Sequence, residues 1–172
     1  MKANEIFVFS REQAMKFRPT KKTYVVRVLG NDNPYFSLDW INDENVVWVD
    51  EYFFEHVKFD QFQPMKMQIK QEISSGAVFN RRMANSLLGN FNEKFKDGMD
   101  LFVHCRYGMN RSAGIAGALN DLFDLGHDYL LMAYEKYDRY VYEKLLRTAY
   151  VNNLVDKDKN TEIAKRLGID RF

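Results

Sequence analysis

The chain has 172 residues, of which 46% are apolar and 28% are charged, and its formal net charge is +1. This composition predicts one globular domain over residues 1–172, with enough apolar side chains to form a core. The single cysteine excludes an intramolecular disulfide and a multi-cysteine zinc site, and the low net charge argues against a generally cationic nucleic-acid binder.

Short strands and one short helix are predicted in the first half of the chain. The apolar and β-branched runs predict strands over residues 6–9 and 23–30, and one or two more between residues 45 and 60. Ser10 is expected to cap a short helix that follows the first strand. Residues 61–76 carry Pro64 and are less periodic, which favours mostly loop, with a short helix as the alternative for part of the segment.

Helices dominate the second half of the chain. Helical spacing of apolar residues predicts an amphipathic helix within residues 77–98, and residues 99–105 form an apolar run typical of a buried strand. Helices are then predicted over 111–126, 129–150 and 160–169. This order predicts an α/β fold, with a mixed central sheet flanked by helices.

The sequence offers no candidate for a signal peptide or a transmembrane helix. Residues 1–17 are interrupted by charged and polar side chains, unlike a signal peptide. No apolar run is long enough for a transmembrane helix. We therefore expect no membrane partner and a reducing, cytoplasmic setting, which would preserve a reactive thiol.

The lone cysteine stands in the stretch LFVHCRYGMNRSAGIAGAL, between a predicted strand and a predicted helix. Five residues separate Cys105 from Arg111, and a tight loop of this length can turn its backbone N–H groups inward around an anion. The following helix points its positive end at the same place. Arg111 can bind an oxyanion with two parallel hydrogen bonds. The loop residues predicted to bind phosphate are Arg106, Tyr107, Gly108, Met109, Asn110 and Arg111.

The same groups would act on the thiol of Cys105. Inward N–H groups, the helix end and Arg111 favour the thiolate, which is the nucleophilic form of cysteine. Ser112 would place a hydroxyl near the sulfur and stabilise the thiolate when it leaves. His104 is expected to hold the loop through hydrogen bonds to its backbone.

These residues resemble a known signature. His104-Cys105, five residues and then Arg111-Ser112, with Gly108 between them, is similar to the protein tyrosine phosphatase superfamily, and the chain length is similar to its compact dual-specificity branch. The resemblance implies a largely parallel sheet and hydrolysis of phosphate monoesters through a phosphocysteine, without a metal or other cofactor. It also implies phosphorylated proteins or small phosphate esters as substrates, and inhibition by phosphate-like oxyanions.

Two loop residues leave the substrate open. Many members of the superfamily have a small residue where this chain has Tyr107, which could either line the mouth of the site or point into the core. Asn110 before Arg111 is similar to the RNA 5′-phosphatase branch, so RNA stays an alternative substrate, although the low net charge does not favour it.

The resemblance also implies an aspartate that protonates the leaving group, on a loop before the nucleophile. Asp60 is the first choice for this general acid and base, Asp50 the second and Glu55 the third.

Three other interpretations remain at this stage. Cys105 could be an ordinary core cysteine, it could form a Cys–His protease with His56, or the loop could bind phosphate without cleaving it. The Cys–His protease would leave Arg111 and the Gly108 loop without a role.

Overall fold

The structure, a computed structural model, describes residues 1–30, 36–56 and 78–169. Their strands form one sheet in the order β1-β4-β2-β3, and each neighbouring pair is parallel. The predicted α/β fold is therefore confirmed, and the described strands are parallel throughout rather than mixed. The strands are β1 (Ile6–Phe9), β2 (Thr23–Leu29), β3 (Val46–Phe53) and β4 (Asp100–His104).

Side-chain caps set the beginnings of most of the described helices. Ser10, Asn80, Asp138 and Asp156 each accept a hydrogen bond from the backbone N–H three residues later, which satisfies a donor that the helix itself cannot. The predicted cap at Ser10 is confirmed as a reciprocal capping box with Gln13. The helices are α1 (Arg11–Lys16), α2 (Arg81–Lys94), α3 (Arg111–Phe123), α4 (Arg139–Val151) and α5 (Lys157–Arg166), with a 3₁₀ turn at Leu130–Ala133.

The sheet is covered on both faces. Tyr24 and Val26 of β2 belong to the larger core cluster, which also contains apolar residues of α2, α3 and α4. Val25 of β2 and Phe102 of β4 belong to a smaller cluster on the other face, with Trp40. Successive side chains of a strand point to opposite faces, so a strand buried on both sides is largely apolar. This explains the sequence of β2, which is polar only at Thr23 and Arg27, and the apolar centre of β4 at residues 101–103.

The predicted continuous helix over residues 129–150 is wrong, because the chain forms a 3₁₀ turn and then starts α4 afresh at Arg139. The break lies at Asp138, whose backbone N–H is bonded to the Asn110 carbonyl at 3.0 Å instead of to a preceding helical turn. Its side chain then caps α4 through the N–H of Val141.

The last described helix, α5, begins three residues earlier than predicted. Asp156 accepts a hydrogen bond from the N–H of Lys159 at 2.8 Å, so the cap precedes the apolar pattern on which the prediction depended. Residues 57–77, including Asp60 and the predicted loop around Pro64, lie outside the described residues. The assignment of residues 1–172 to a single domain stays a prediction.

Within the described part of the chain, no helix combines the length and the apolar character that crossing a membrane requires.

Candidate active site

The loop between β4 and α3 lies at the carboxyl end of a central strand. β4 is flanked by β1 and β2, and the N–H of Cys105 continues its pairing with β1 by donating to the Phe9 carbonyl at 3.2 Å. Six residues after Cys105, α3 begins at Arg111. The carboxyl ends of parallel strands are where α/β proteins usually place their binding sites.

The sulfur of Cys105 is buried among polar groups. The residue is 2% exposed, its Sγ lies 3.1 Å from the Ser112 Oγ, and the N–H of Gly108 donates to Sγ at 3.3 Å. Burial alone would agree with an ordinary core cysteine. Two neighbouring hydrogen-bond donors are instead what a thiolate needs.

Gly108 allows the loop to press against the start of α1. Its φ is +72°, and a Cβ at this position would lie 2.5 Å from the backbone nitrogen of Ser10. Ser10 and Tyr107 form a β-bridge, and the N–H of Arg11 donates to the Arg106 carbonyl at 3.2 Å. A side chain at position 108 is therefore excluded both by the backbone conformation and by the space.

Arg111 is held by the two residues that follow β3 in the chain. The residue is 5% exposed, and its Nη1 donates to the Phe54 carbonyl at 2.5 Å and to the Glu55 carboxylate at 3.3 Å. No other hydrogen bond of this guanidinium is made to the described residues. With respect to these residues, its Nε and Nη2 could donate to a bound oxyanion.

Asp50 and Glu55, the second and third choices for the general acid, each pair with another residue in the structure. Asp50 is 5% exposed and accepts hydrogen bonds from the Tyr24 hydroxyl and, at 2.7 Å, from the Asn90 amide. Burial and then Asp50 raise the pKa of Tyr24 far above its ordinary value. Asp50 is thus a core residue, so its selection as second choice for the general acid is corrected. Glu55, the third choice, is a partner of Arg111. Asp60 is outside the described residues.

His104 points away from Cys105. Its ring packs near the rings of Phe36 and Phe102, with centroids 5.8 and 5.9 Å away. Neither ring nitrogen has a hydrogen-bond partner among the described residues, so the predicted bonds to the loop backbone are absent there. Burial, followed by the charges of Arg27 and Arg11, lowers the pKa of His104 to about 3. The imidazole is therefore neutral near pH 7.

The remaining loop side chains lie at or near the surface. Tyr107 is 58% exposed, and the guanidinium of Arg106 lies over its ring at 4.9 Å, so it lies on the surface beside the loop rather than in the core. Met109 is also exposed. Asn110 is half-buried, and its side chain donates to the Lys136 carbonyl in a hydrogen bond near the surface.

Sequence reasoning missed the residue that anchors the far side of the loop. Asp138 donates its backbone N–H to the Asn110 carbonyl at 3.0 Å, and its buried carboxylate lies 2.7 Å from the Nδ1 of His56. A Cβ on Gly114 would lie 2.6 Å from the Asp138 carbonyl oxygen, so α3 and the start of α4 are in close contact. An aspartate before an apolar helical pattern is a recognisable cap signal, but nothing in the sequence indicates its partners.

His56 is therefore not paired with the thiol. Its Nδ1 contacts Asp138, and no hydrogen bond between His56 and Cys105 is present among the described residues. The geometry gives no support to a Cys–His protease.

Residues 1–30, 36–56 and 78–169 contain no group of three or more His, Cys, Asp or Glu side chains that could hold a metal ion.

Comparison with protein families, with characterised proteins and with solved structures finds no match to this chain. A function therefore has to be inferred from the geometry of the site.

Proposed function

We propose that this chain is a cysteine-dependent phosphatase of the compact dual-specificity type. Its proposed substrates are phosphate monoesters, in particular phosphotyrosine and phosphoserine or phosphothreonine in proteins. The observation that carries the proposal is the single turn after β4, where the Cys105 sulfur meets the Gly108 N–H and the Ser112 hydroxyl while Arg111 begins α3. A nucleophile, thiolate-stabilising donors and an oxyanion-binding guanidinium thus share one loop.

In the first step, the Cys105 thiolate attacks the phosphorus atom of the bound ester. The S–P bond forms as the P–O bond to the leaving group breaks, and the leaving oxygen takes a proton from the general acid, for which we propose Asp60. The fork of Arg111, the loop N–H groups and the positive end of α3 would bind the non-bridging oxygens and stabilise their charge in the transition state.

In the second step, water attacks the phosphocysteine and releases inorganic phosphate. The S–P bond breaks and its electrons return to sulfur, while Asp60, now a carboxylate, accepts the proton from water. The Ser112 hydroxyl and the Gly108 N–H would donate to the departing thiolate. Neither step requires a metal or another cofactor, and phosphate-like oxyanions such as vanadate should compete with the substrate. A reducing, cytoplasmic setting would preserve the thiol.

The proposal is tested by the hydrolysis of p-nitrophenyl phosphate in EDTA, with wild type beside Cys105→Ser and Asp60→Asn. Asp39→Asn is the matched control, because Asp39 is an exposed aspartate paired with Arg18. Cys105→Ser should be inactive, Asp60→Asn should be slower by about a hundredfold or more, and Asp39→Asn should equal wild type. Mass spectrometry of quenched wild type should show one added phosphoryl group, lost in Cys105→Ser.

Other outcomes would identify the alternatives. Wild type that binds vanadate but is inert from about pH 5 to pH 8 would contradict an enzyme of this class and favour a phosphate-binding module. Turnover of an RNA 5′-phosphate far above that of any phosphopeptide would favour the RNA-directed branch.

A further inference from the structure

His56 and Asp138 form a pair that the proposed reaction does not use. The Nδ1 of His56 lies 2.7 Å from one carboxylate oxygen of Asp138, and the other oxygen accepts the N–H of Val141 at the start of α4. Asp138 is 2% exposed, whereas the His56 side chain is 38% exposed. A carboxylate can only accept, so the proton of the bond between the two side chains belongs to Nδ1. The carboxylate is fixed through both oxygens, and it fixes the imidazole in turn.

Each member of this pair is also joined to the loop that carries Cys105. His56 directly follows residues 54–55, which hold the Arg111 guanidinium. Asp138 donates its backbone N–H to the carbonyl of Asn110, the residue before Arg111, at 3.0 Å. These contacts close a circuit, in which the His56–Asp138 pair joins the chain after β3 to the loop by a second route that does not pass through the Arg111 side chain.

The circuit matters because the groups that hold Arg111 lie just beyond the end of β3. The N–H of Phe54 donates to the Leu29 carbonyl at 3.2 Å, which is the last bond of this chain segment to β2. The Phe54 carbonyl and the Glu55 carboxylate come after it, so their positions depend on where the chain goes next. His56 makes no other hydrogen bond to the described residues, so its pair with the buried carboxylate is what fixes that direction.

We propose that His56 and Asp138 are positioning residues for Arg111. The inference rests on the proposed function and deepens it, because it names what orients the guanidinium that binds the phosphoryl group. Residues 54–55 engage only Nη1. A guanidinium is planar, so holding Nη1 in place also directs the edge formed by Nε and Nη2. Two parallel bonds to an oxyanion form only when this edge is aligned.

The half-exposed imidazole has one alternative role, which is proton transfer. A histidine whose Nδ1–H is held by a carboxylate is also the arrangement found in catalytic triads, and the Nε2 of His56 has no hydrogen bond to the described residues. The contacts of His56 favour positioning, because they lead to Arg111 and Asn110, whereas the Cys105 sulfur is bonded to Gly108 and Ser112.

The test measures the dissociation constant of tungstate, a tetrahedral oxyanion, by calorimetry, together with kcat/KM for p-nitrophenyl phosphate. His56→Ala removes the pair, and Asp138→Ser removes the oxygen that His56 contacts while serine still caps α4. Each should weaken tungstate binding and lower kcat/KM by about tenfold, the effect of one hydrogen bond to a charged group. His56→Asn, whose amide N–H can replace the Nδ1 donor but not Nε2, should stay within about twofold of wild type.

Two comparisons separate positioning from a general effect on folding. Asp156→Ser is the matched control, because Asp156 caps α5 in the same way but has no histidine partner among the described residues. It should leave tungstate binding and kcat/KM unchanged. In an Arg111→Lys background, His56→Ala should cause a further loss of about twofold at most, because the group that it positions is already gone.

Three results would overturn the inference. Equal losses in His56→Asn and His56→Ala would show that Nε2 is needed and would replace positioning by proton transfer. Wild-type tungstate binding and kcat/KM in His56→Ala, with only a lower free energy of unfolding in urea, would reduce the pair to a structural contact. A full tenfold loss, roughly, from His56→Ala in the Arg111→Lys background would show that the pair acts independently of Arg111.

The tungstate measurement also separates this inference from the proposed function. A wild type that binds tungstate but cleaves no phosphate ester would overturn the proposed function alone, because the effect of His56→Ala on tungstate binding would still test the pair. A wild type that neither binds tungstate nor cleaves an ester would overturn both.

Discussion

The sulfur of Cys105 lies 3.1 Å from the hydroxyl oxygen of Ser112, and both residues are buried. Cys105 follows β4 and Ser112 is the second residue of α3, so the turn between the two elements brings the pair together. A hydroxyl beside a sulfur donates more strongly to the thiolate than to the sulfur of a phosphocysteine, which carries less charge. Ser112 should therefore act mainly when the thiolate leaves.

Ser112→Ala is expected to slow the hydrolysis of the phosphocysteine more than its formation. The steady-state kcat should fall by about tenfold to a hundredfold, the effect of one hydrogen bond to a charged group. Rapid-mixing measurements with p-nitrophenyl phosphate should then show a burst of one p-nitrophenol per active site. Ser37→Ala, at an exposed position, is the control and should behave as wild type. An equal decrease in the burst rate and the steady-state rate would contradict a role in the second step.

Gly108→Ala should distort the loop. The added Cβ would lie 2.5 Å from the Ser10 nitrogen and 2.6 Å from the Phe9 carbonyl carbon, at a φ of +72°. We expect a loss of kcat/KM of about a hundredfold or more and a decrease in the free energy of unfolding of about 1–3 kcal/mol.

The matched control for this substitution is Gly89→Ala. Gly89 lies inside α2, and a Cβ added there would meet nothing within 4 Å, so the alanine should raise the free energy of unfolding by about 0.5–1 kcal/mol and leave activity unchanged. Urea unfolding and steady-state kinetics measure both effects. Normal activity in Gly108→Ala would show that the close approach to Ser10 is not needed.

Glu55→Gln should weaken the positioning of Arg111. The carboxylate lies 3.3 Å from Nη1 and its side chain is 39% exposed, so we expect only a threefold to tenfold decrease, roughly, in kcat/KM, mainly through KM. Arg111→Lys should cost about a hundredfold or more, because lysine cannot form two parallel hydrogen bonds with a phosphate. Glu51→Gln is the control, since Glu51 lies on β3, shortly before Glu55 in the chain, but pairs with Arg27 at 2.6 Å. If Glu51→Gln lowers kcat/KM as much as Glu55→Gln, the decrease comes from the loss of a negative charge and not from the contact between Glu55 and Arg111.

His104→Phe should remove part of the acid sensitivity of the fold. The pKa of His104 is lowered to about 3 in the folded protein from 6.5, so between these values the unfolded chain binds a proton that the folded protein does not. The contribution is fully present above about pH 6.5 and is lost as the pH falls toward 3, by about 1.4 kcal/mol per pH unit at most.

Urea unfolding at a series of pH values measures this slope. The free energy of unfolding should fall less steeply below about pH 6.5 in His104→Phe than in wild type. Ser37→Ala, at an exposed position without a titratable group, should keep the wild-type slope. A slope in His104→Phe equal to that of wild type would contradict the burial of a neutral imidazole.

The local sequence determined most of the elements of this protein. A β-rich run predicted β2, an apolar run predicted β4, Ser10 predicted the start of α1, and the spacing of Cys105 and Arg111 predicted a loop followed by a helix. These features depend on residues within one or two turns of each other, so propensity, capping and periodicity are sufficient to predict them.

Only the tertiary structure decided which distant groups meet at the loop. Arg111 contacts Phe54 and Glu55, Asn110 contacts Asp138, and Asp50 pairs with Tyr24 in the core instead of serving the site. The hydrogen bond from Arg111 to Phe54 joins residues 57 positions apart, and that from Tyr24 to Asp50 joins residues 26 positions apart. Such contacts depend on the parallel strand order and on helix packing, which arise from burial of the whole core and leave no local pattern in the sequence.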